Sequence, residues 1–158
     1  MGNKTLVYRQ KVEDNLTESY RHLEVLNIAF VQLAINYNIP LDNINFKNIL
    51  SNPQDLAYSD QIIYRFSKLQ DSIGAKLFKS LLLYQGENTN RPFLDILNQL
   101  ERMEVIDVDE WFEIRDLRNE IAHDYNHSDD VAINILNSIY KLKDELRDIL
   151  NSIEDMIK

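Results

Sequence analysis

A chain of 158 residues, 44% apolar and 27% charged, is long enough to bury a core as a single domain spanning 1–158 without metal or disulfide staples. The absence of cysteine excludes thiolate metal sites, thiol nucleophiles and disulfides. A net charge of −9 runs against the basic footprint of most nucleic-acid binders, so any RNA must meet a local positive patch inside a repelling field.

Apolar residues recur at helical spacing almost throughout, no segment alternates as a strand, and three Gly and three Pro predict long helices with few turns. The N-terminal MGNKTLVYRQ lacks the apolar run of a signal peptide, and Leu6 stands where a myristoylation pattern needs Ser or Thr. No apolar stretch nears the length of a membrane span, so a cytoplasmic protein is expected. A first helix carries Leu16, Tyr20, Leu23, Leu26, Phe30, Leu33 and Tyr37 on one side and stops before Pro40; Asn15 and Glu18 have capping-box spacing, and an earlier start is the alternative. His22 reads as a partly exposed residue of that helix. A polar connection follows, with a short helix around Phe46 to Leu50. A second long helix shows Ile62, Phe66, Leu69, Ile73, Leu77, Leu81 and Tyr84, ending near Gly86.

A shorter helix opens at Pro92, a favoured first-turn residue, and buries Phe93, Ile96, Leu97 and Leu100. Asp107 and Glu110 form another capping-box pair ahead of Trp111, and the acidic DVDEWFE suits a helix N-terminus. Ser128 with Asp129 and Asp130 caps the last helix, where Ile135, Ile139, Leu142, Leu146, Ile149, Ile153 and Met156 trace a heptad seam. The expected fold class is all-α, an up-and-down bundle of four to five main helices.

The stretch RDLRNEIAHDYNHSDD, residues 115–130, departs from plain scaffold. At about 100° per residue, Ile114, Leu117 and Ile121 share one stripe, with Arg118 and Tyr125 on its border. Phe112, Asn119 and His123 point to roughly the opposite side, so both sides of the helix are occupied, as if a second protomer packed there. One reading is structural: Arg and His at a helix C-terminus are favoured by the macrodipole, and Tyr125 closes the core. Another is a metal site of His123, His127, Asp129 and Asp130, which lacks the two-turn HExxH framework. A third is metal-free RNA cleavage. There, His123 moves the proton of a ribose 2′-OH or of the leaving oxygen, Arg118 holds the phosphate, and Asn119 orients either one. Arg118 and His123 stand about 140° apart on an ideal helix. They converge through arginine's reach, through distortion of the last turn, or across a dimer.

RNEIAHDY, Arg118 to Tyr125, resembles the signature of the HEPN superfamily in the Arg-x4-His-x-Tyr form of HepT-like toxins. These are paired with a minimal nucleotidyltransferase (MNT) antitoxin. YRFSKLQDSIGAKLFK is similar to the Arg-Phe-containing helix of related HepT proteins, with Asp71 at a position that is often acidic. The resemblance implies a HEPN-like bundle that dimerises with its motif helices across a composite cleft. It implies metal-independent endoribonuclease activity with Arg118 and His123 as the catalytic pair, Asn119 and Asp71 in support, and no cofactor. It also implies a cognate nucleotidyltransferase that adds AMP to Tyr125, whose phosphates occupy the anion site and repel RNA. Some HEPN proteins are instead non-catalytic partners of nucleotidyltransferases, and that alternative stays open.

Overall fold

A computed structural model describes residues 2–158; Met1, the first residue of the N-terminal stretch read above, lies outside the described residues. Helix α1 spans Gly2–Ala34, α2 Asn43–Ser51, α3 Pro53–Asp71, α4 Phe78–Tyr84, α5 Phe93–Arg102, α6 Val108–Asp124 and α7 Asp129–Met156. A wide π-type turn, Ser72–Leu77, joins α3 and α4 into one continuous helix. No strand is present among the described residues. The chain is an all-α bundle. Helix α1 packs along α3, α4 and α7, and α6 packs against α3 and α7, while α2 and α5 fill the connections. The core between them is aliphatic and aromatic, with Leu26, Leu33, Ile62, Phe66, Phe78, Trp111, Ile114, Ile135, Leu146 and Leu150 fully buried.

The periodic apolar positions are where the core is, and the differences lie at helix ends. Helix α1 begins a dozen residues before Asn15, so Asn15 is an interior residue and its amide donates to Ser80 Oγ at 3.1 Å instead of capping. The added turns bury little. They are held by local pairs, Arg9 to Glu13 at 3.1 Å and Gln10 to Asp14 at 2.9 Å, at the four-residue spacing that stabilises an exposed helix. The helix stops at Ala34, leaving Tyr37 beyond its end with its hydroxyl donating to Asp55 at 2.7 Å. The following loop is clamped to α7, where Asn137 accepts from Leu41 N at 2.8 Å and donates to Leu41 O at 3.1 Å.

Pro92 takes the cap position of α5 rather than its first turn, while Asp107 and Ser128 cap α6 and α7 through Glu110 N and Val131 N. Of the heptad seam in α7, Leu142 is half-buried and Met156 is exposed. Ile133, Leu136 and Leu150 join the buried set, because α7 packs against several helices rather than one partner. His22 is buried rather than partly exposed. The Arg65 guanidinium from α3 lies 3.0 Å from its Nδ1, and Glu18 lies 3.9 Å from its Nε2. Among the described residues, no helix is long and apolar enough to cross a membrane.

Candidate functional site

Helix α6 is fixed to α3 and α4 by three contacts that step down its length. Near its start, Trp111 is fully buried and meets Phe78 edge-on, ring centroids 4.8 Å apart. Its other neighbour is Gly74 in the π-type turn, where an added Cβ would come within 2.9 Å of Trp111 Cζ2. A glycine is needed there for the two helices to approach. Two turns later Arg118 meets Asp71, and two turns beyond that Tyr125 meets Ser59. As the numbers rise along α6 they fall along α3, so the two helices run antiparallel.

The middle contact is a fork. Arg118 Nε donates to Asp71 Oδ1 at 3.2 Å and its Nη2 donates to Asp71 Oδ2 at 3.1 Å. Asp71 is about half exposed, so the pair adds little stability, ~0–1 kcal/mol after solvent screening. Its consequence is geometric. One edge of the guanidinium is held by the carboxylate, and Nη1 has no protein partner. A π-type turn immediately after Asp71, where Phe78 N reaches back to Ile73 O, is the kind of local widening that recurs at functional positions.

Beyond the fork, a groove of about 430 Å³ runs between α3 and the end of α6, lined by Asp60, Tyr64, Lys68, Asp71, Arg118 and Tyr125. Tyr125 closes its far end, its hydroxyl 3.2 Å from Ser59 Oγ. Burial pushes its phenol above the ordinary tyrosine range; the hydrogen bond to Ser59 opposes that shift and Asp60 adds to it. The phenol is therefore neutral and tied down at physiological pH.

The fold brings Arg118, Asp71 and Tyr125 together. It does not bring His123 or Asn119 into the same groove of the same chain. Both are exposed, and neither makes a side-chain hydrogen bond among the described residues. The last turn is undistorted, with α6 regular to Asp124 and Tyr125 still helical at φ −54 and ψ −40. Of the routes by which Arg118 and His123 could converge, distortion of the last turn is not taken. Among the described residues, no three His, Asp or Glu side chains gather as a metal site needs, and His127 and Ser128 form the turn and cap between α6 and α7.

Comparison with family models, with curated proteins and with solved structures finds no match for this chain.

The charge of the chain is unevenly placed around α6. One side, facing α7, lines a groove with Glu113, Asp116, Glu120 and Glu145 against Lys141. Burial, then the neighbouring Glu110 and Glu113, raises the Glu145 carboxyl above its usual range. The other side carries Arg115 and Arg118, with Lys68 contributed from α3 and Lys79 from α4. A positive patch thus exists inside an acidic chain. The helix spacing that singled out Arg118 carried no information on Ser59, Gln70, Lys79 or Phe93, which the fold places on the same side.

Proposed function

We propose that this chain is a HepT-like HEPN toxin: a metal-independent endoribonuclease that acts in the cytoplasm as a homodimer and is silenced by a minimal nucleotidyltransferase. The observation that carries the reading is the Arg118–Asp71 fork. It sets the arginine of RNEIAHDY at the mouth of a groove, with donors free, on the positive side of an acidic chain. The outward strip of α6, with Arg115, Asn119, Ala122 and His123 all exposed, supports a second protomer as the source of the missing convergence. In a two-fold arrangement, the His123 of one chain approaches the Arg118 of the other.

The reaction is an in-line transfer. The ribose 2′-oxygen forms a bond to phosphorus as the bond to the 5′-oxygen breaks. The 2′-OH proton passes to one His123 imidazole, and the imidazolium of the second copy in the cleft gives its proton to the leaving oxygen. Arg118 holds the non-bridging oxygens as charge accumulates, and Asn119 orients the imidazole or the guanidinium. Silencing joins the Tyr125 oxygen to the α-phosphorus of ATP and releases pyrophosphate and the phenol proton. Because that hydroxyl is bonded to Ser59, the end of α6 must loosen for it to react.

A second reading, a non-catalytic helical partner of a nucleotidyltransferase, is favoured by one fact: the Arg118 charge is already matched by Asp71. Expression of wild type and His123→Ala in a bacterial host without antitoxin separates the two. The ribonuclease reading expects growth arrest and cut RNA with wild type only. Cleavage by purified protein should fall by about 10²–10⁴-fold in the variant, the usual contribution of a proton-transfer group. Equal growth and intact RNA with both proteins would leave only the binding module.

A further inference from the structure

On the opposite side of Asp71 from the Tyr125 groove lies a second cleft, of about 290 Å³, lined by Gln70, Asp71, Gly74, Lys79, Phe93 and Arg115. Its composition departs from the rest of the molecule. Two cations face one carboxylate, and that carboxylate is already engaged by Arg118. The Arg115 guanidinium lies over the Phe93 ring, 5.6 Å from its centroid, forming a flat, cationic wall. Gln70 is more than nine-tenths buried, yet its side-chain amide makes no hydrogen bond to the protein. Its Nε2 lies 3.4 Å from where a Gly74 side chain would begin, beside the same opening. The amide is not sealed from solvent, so its donors and acceptor stay open at the cleft to a ligand.

We infer that this cleft is a nucleobase subsite for the RNA substrate: one base packs on the Phe93–Arg115 wall, Gln70 hydrogen-bonds its edge, and Lys79 holds the adjoining phosphate. The inference rests on the ribonuclease reading for its substrate class. Unstacked bases pack on aromatic rings and on arginine planes. A carboxamide offers a donor and an acceptor side by side, which matches the polar edge of a base. Because Asp71 borders both clefts, a base seated here brings its phosphate toward the Arg118 fork. The subsite therefore selects which phosphodiester is presented to Arg118.

The test measures binding apart from cutting. Fluorescence anisotropy with short single-stranded RNAs of each of the four bases is measured on wild type, Gln70→Ala and Arg115→Ala, all in the His123→Ala background. Mapping of cut sites follows in the same two variants with His123 intact. Far-ultraviolet circular dichroism checks that each is folded, and Gln70→Glu is a second variant of the same size. The subsite expects wild type to prefer one base, Gln70→Ala and Gln70→Glu to flatten or change that preference, and Arg115→Ala to weaken all RNAs about tenfold. Wild-type cleavage with unchanged affinity and unchanged cut sites in both variants overturns the subsite and leaves the ribonuclease standing. Base-selective binding lost in the variants, without cleavage by wild type, keeps the subsite and overturns the ribonuclease. Absence of binding by wild type to any of the RNAs overturns the subsite whatever the cleavage result.

Discussion

Two histidines show how differently this bundle uses the same side chain. His22, in the middle of α1, is buried, with Arg65 against Nδ1 and Glu18 near Nε2. Its protonation is disfavoured by burial first and then by Arg65, with Lys68 adding and Glu18 opposing. His123, at the end of α6, is exposed and has no hydrogen-bond or ion-pair partner among the described residues. One imidazole is committed to holding α1 against α3. The other has both nitrogens available to a substrate or a second chain. Proximity to charge and burial therefore mark the structural histidine here, not the functional candidate.

Substitution should separate the two cleanly, and the largest effect is on activity. On the ribonuclease reading, His123→Ala lowers RNA cleavage by about 10²–10⁴-fold while leaving stability within about 0.5 kcal/mol, as expected for an exposed side chain without contacts. His22→Ala does the reverse. It leaves the Arg65 guanidinium without its imidazole partner inside a packed interface, a loss of ~1–3 kcal/mol. At ~2–4 °C per kcal/mol for a chain of this size, the melting temperature drops by several degrees. Cleavage by the fraction that remains folded is retained. Thermal melts and RNase assays on both variants suffice, and a His22→Ala protein of full stability but no activity would reverse the assignment.

The same contrast has a pH signature of intermediate size. The folded-state pKa of His22 lies below its unfolded value of about 6.5, so the folded protein prefers the neutral ring. Its contribution to stability is present above pH ~6.5 and is lost as pH falls from there through the folded value. Urea midpoints measured downward from pH 7.5 should therefore decline more steeply in wild type than in His22→Gln. His123→Ala should follow the wild-type curve. Parallel curves for wild type and His22→Gln would show that the His22 environment opens before the ring protonates.

How much of this was legible beforehand follows the range of the interactions. The 3.6-residue periodicity located the core-facing positions of α3, α6 and α7, and Asp107 and Ser128 announced their helices, because caps and stripes are local. The start of α1 was not legible, since its first turns are polar and held by exposed four-residue pairs rather than by burial. The π-type turn was invisible for a different reason: one wider turn leaves the apolar pattern on either side intact. The candidate site divides the same way. Arg118, His123 and Tyr125 stand in one short motif, and Asp71 came from a likeness in a second helix. That Asp71 meets Arg118, 47 residues away, depends on how α6 crosses α3. Gln70, Lys79 and Phe93 join Arg115 only through that crossing. His22 was misjudged because the charge that covers it, Arg65, comes from another helix.

The smallest effect concerns the other end of the groove and asks whether Tyr125 behaves like His22 or like His123. Its hydroxyl is tied to Ser59, but the turn that carries it is the last of α6, next to exposed Ala122, His123 and Asn126. Ser59→Ala removes that bond without touching the Arg118–Asp71 fork. The expected loss of stability is ~0.5–1.5 kcal/mol, the net value of one part-buried hydrogen bond. If the bond holds the phenol away from a modifying enzyme, freeing it raises the fraction of time the hydroxyl is available by a similar free energy. AMP addition by the cognate nucleotidyltransferase should then quicken about two- to tenfold, read by intact mass against time. An unchanged rate in a folded Ser59→Ala protein would mean that Tyr125 is already accessible when the partner docks. An unchanged mass in wild type would remove the modification from the mechanism altogether.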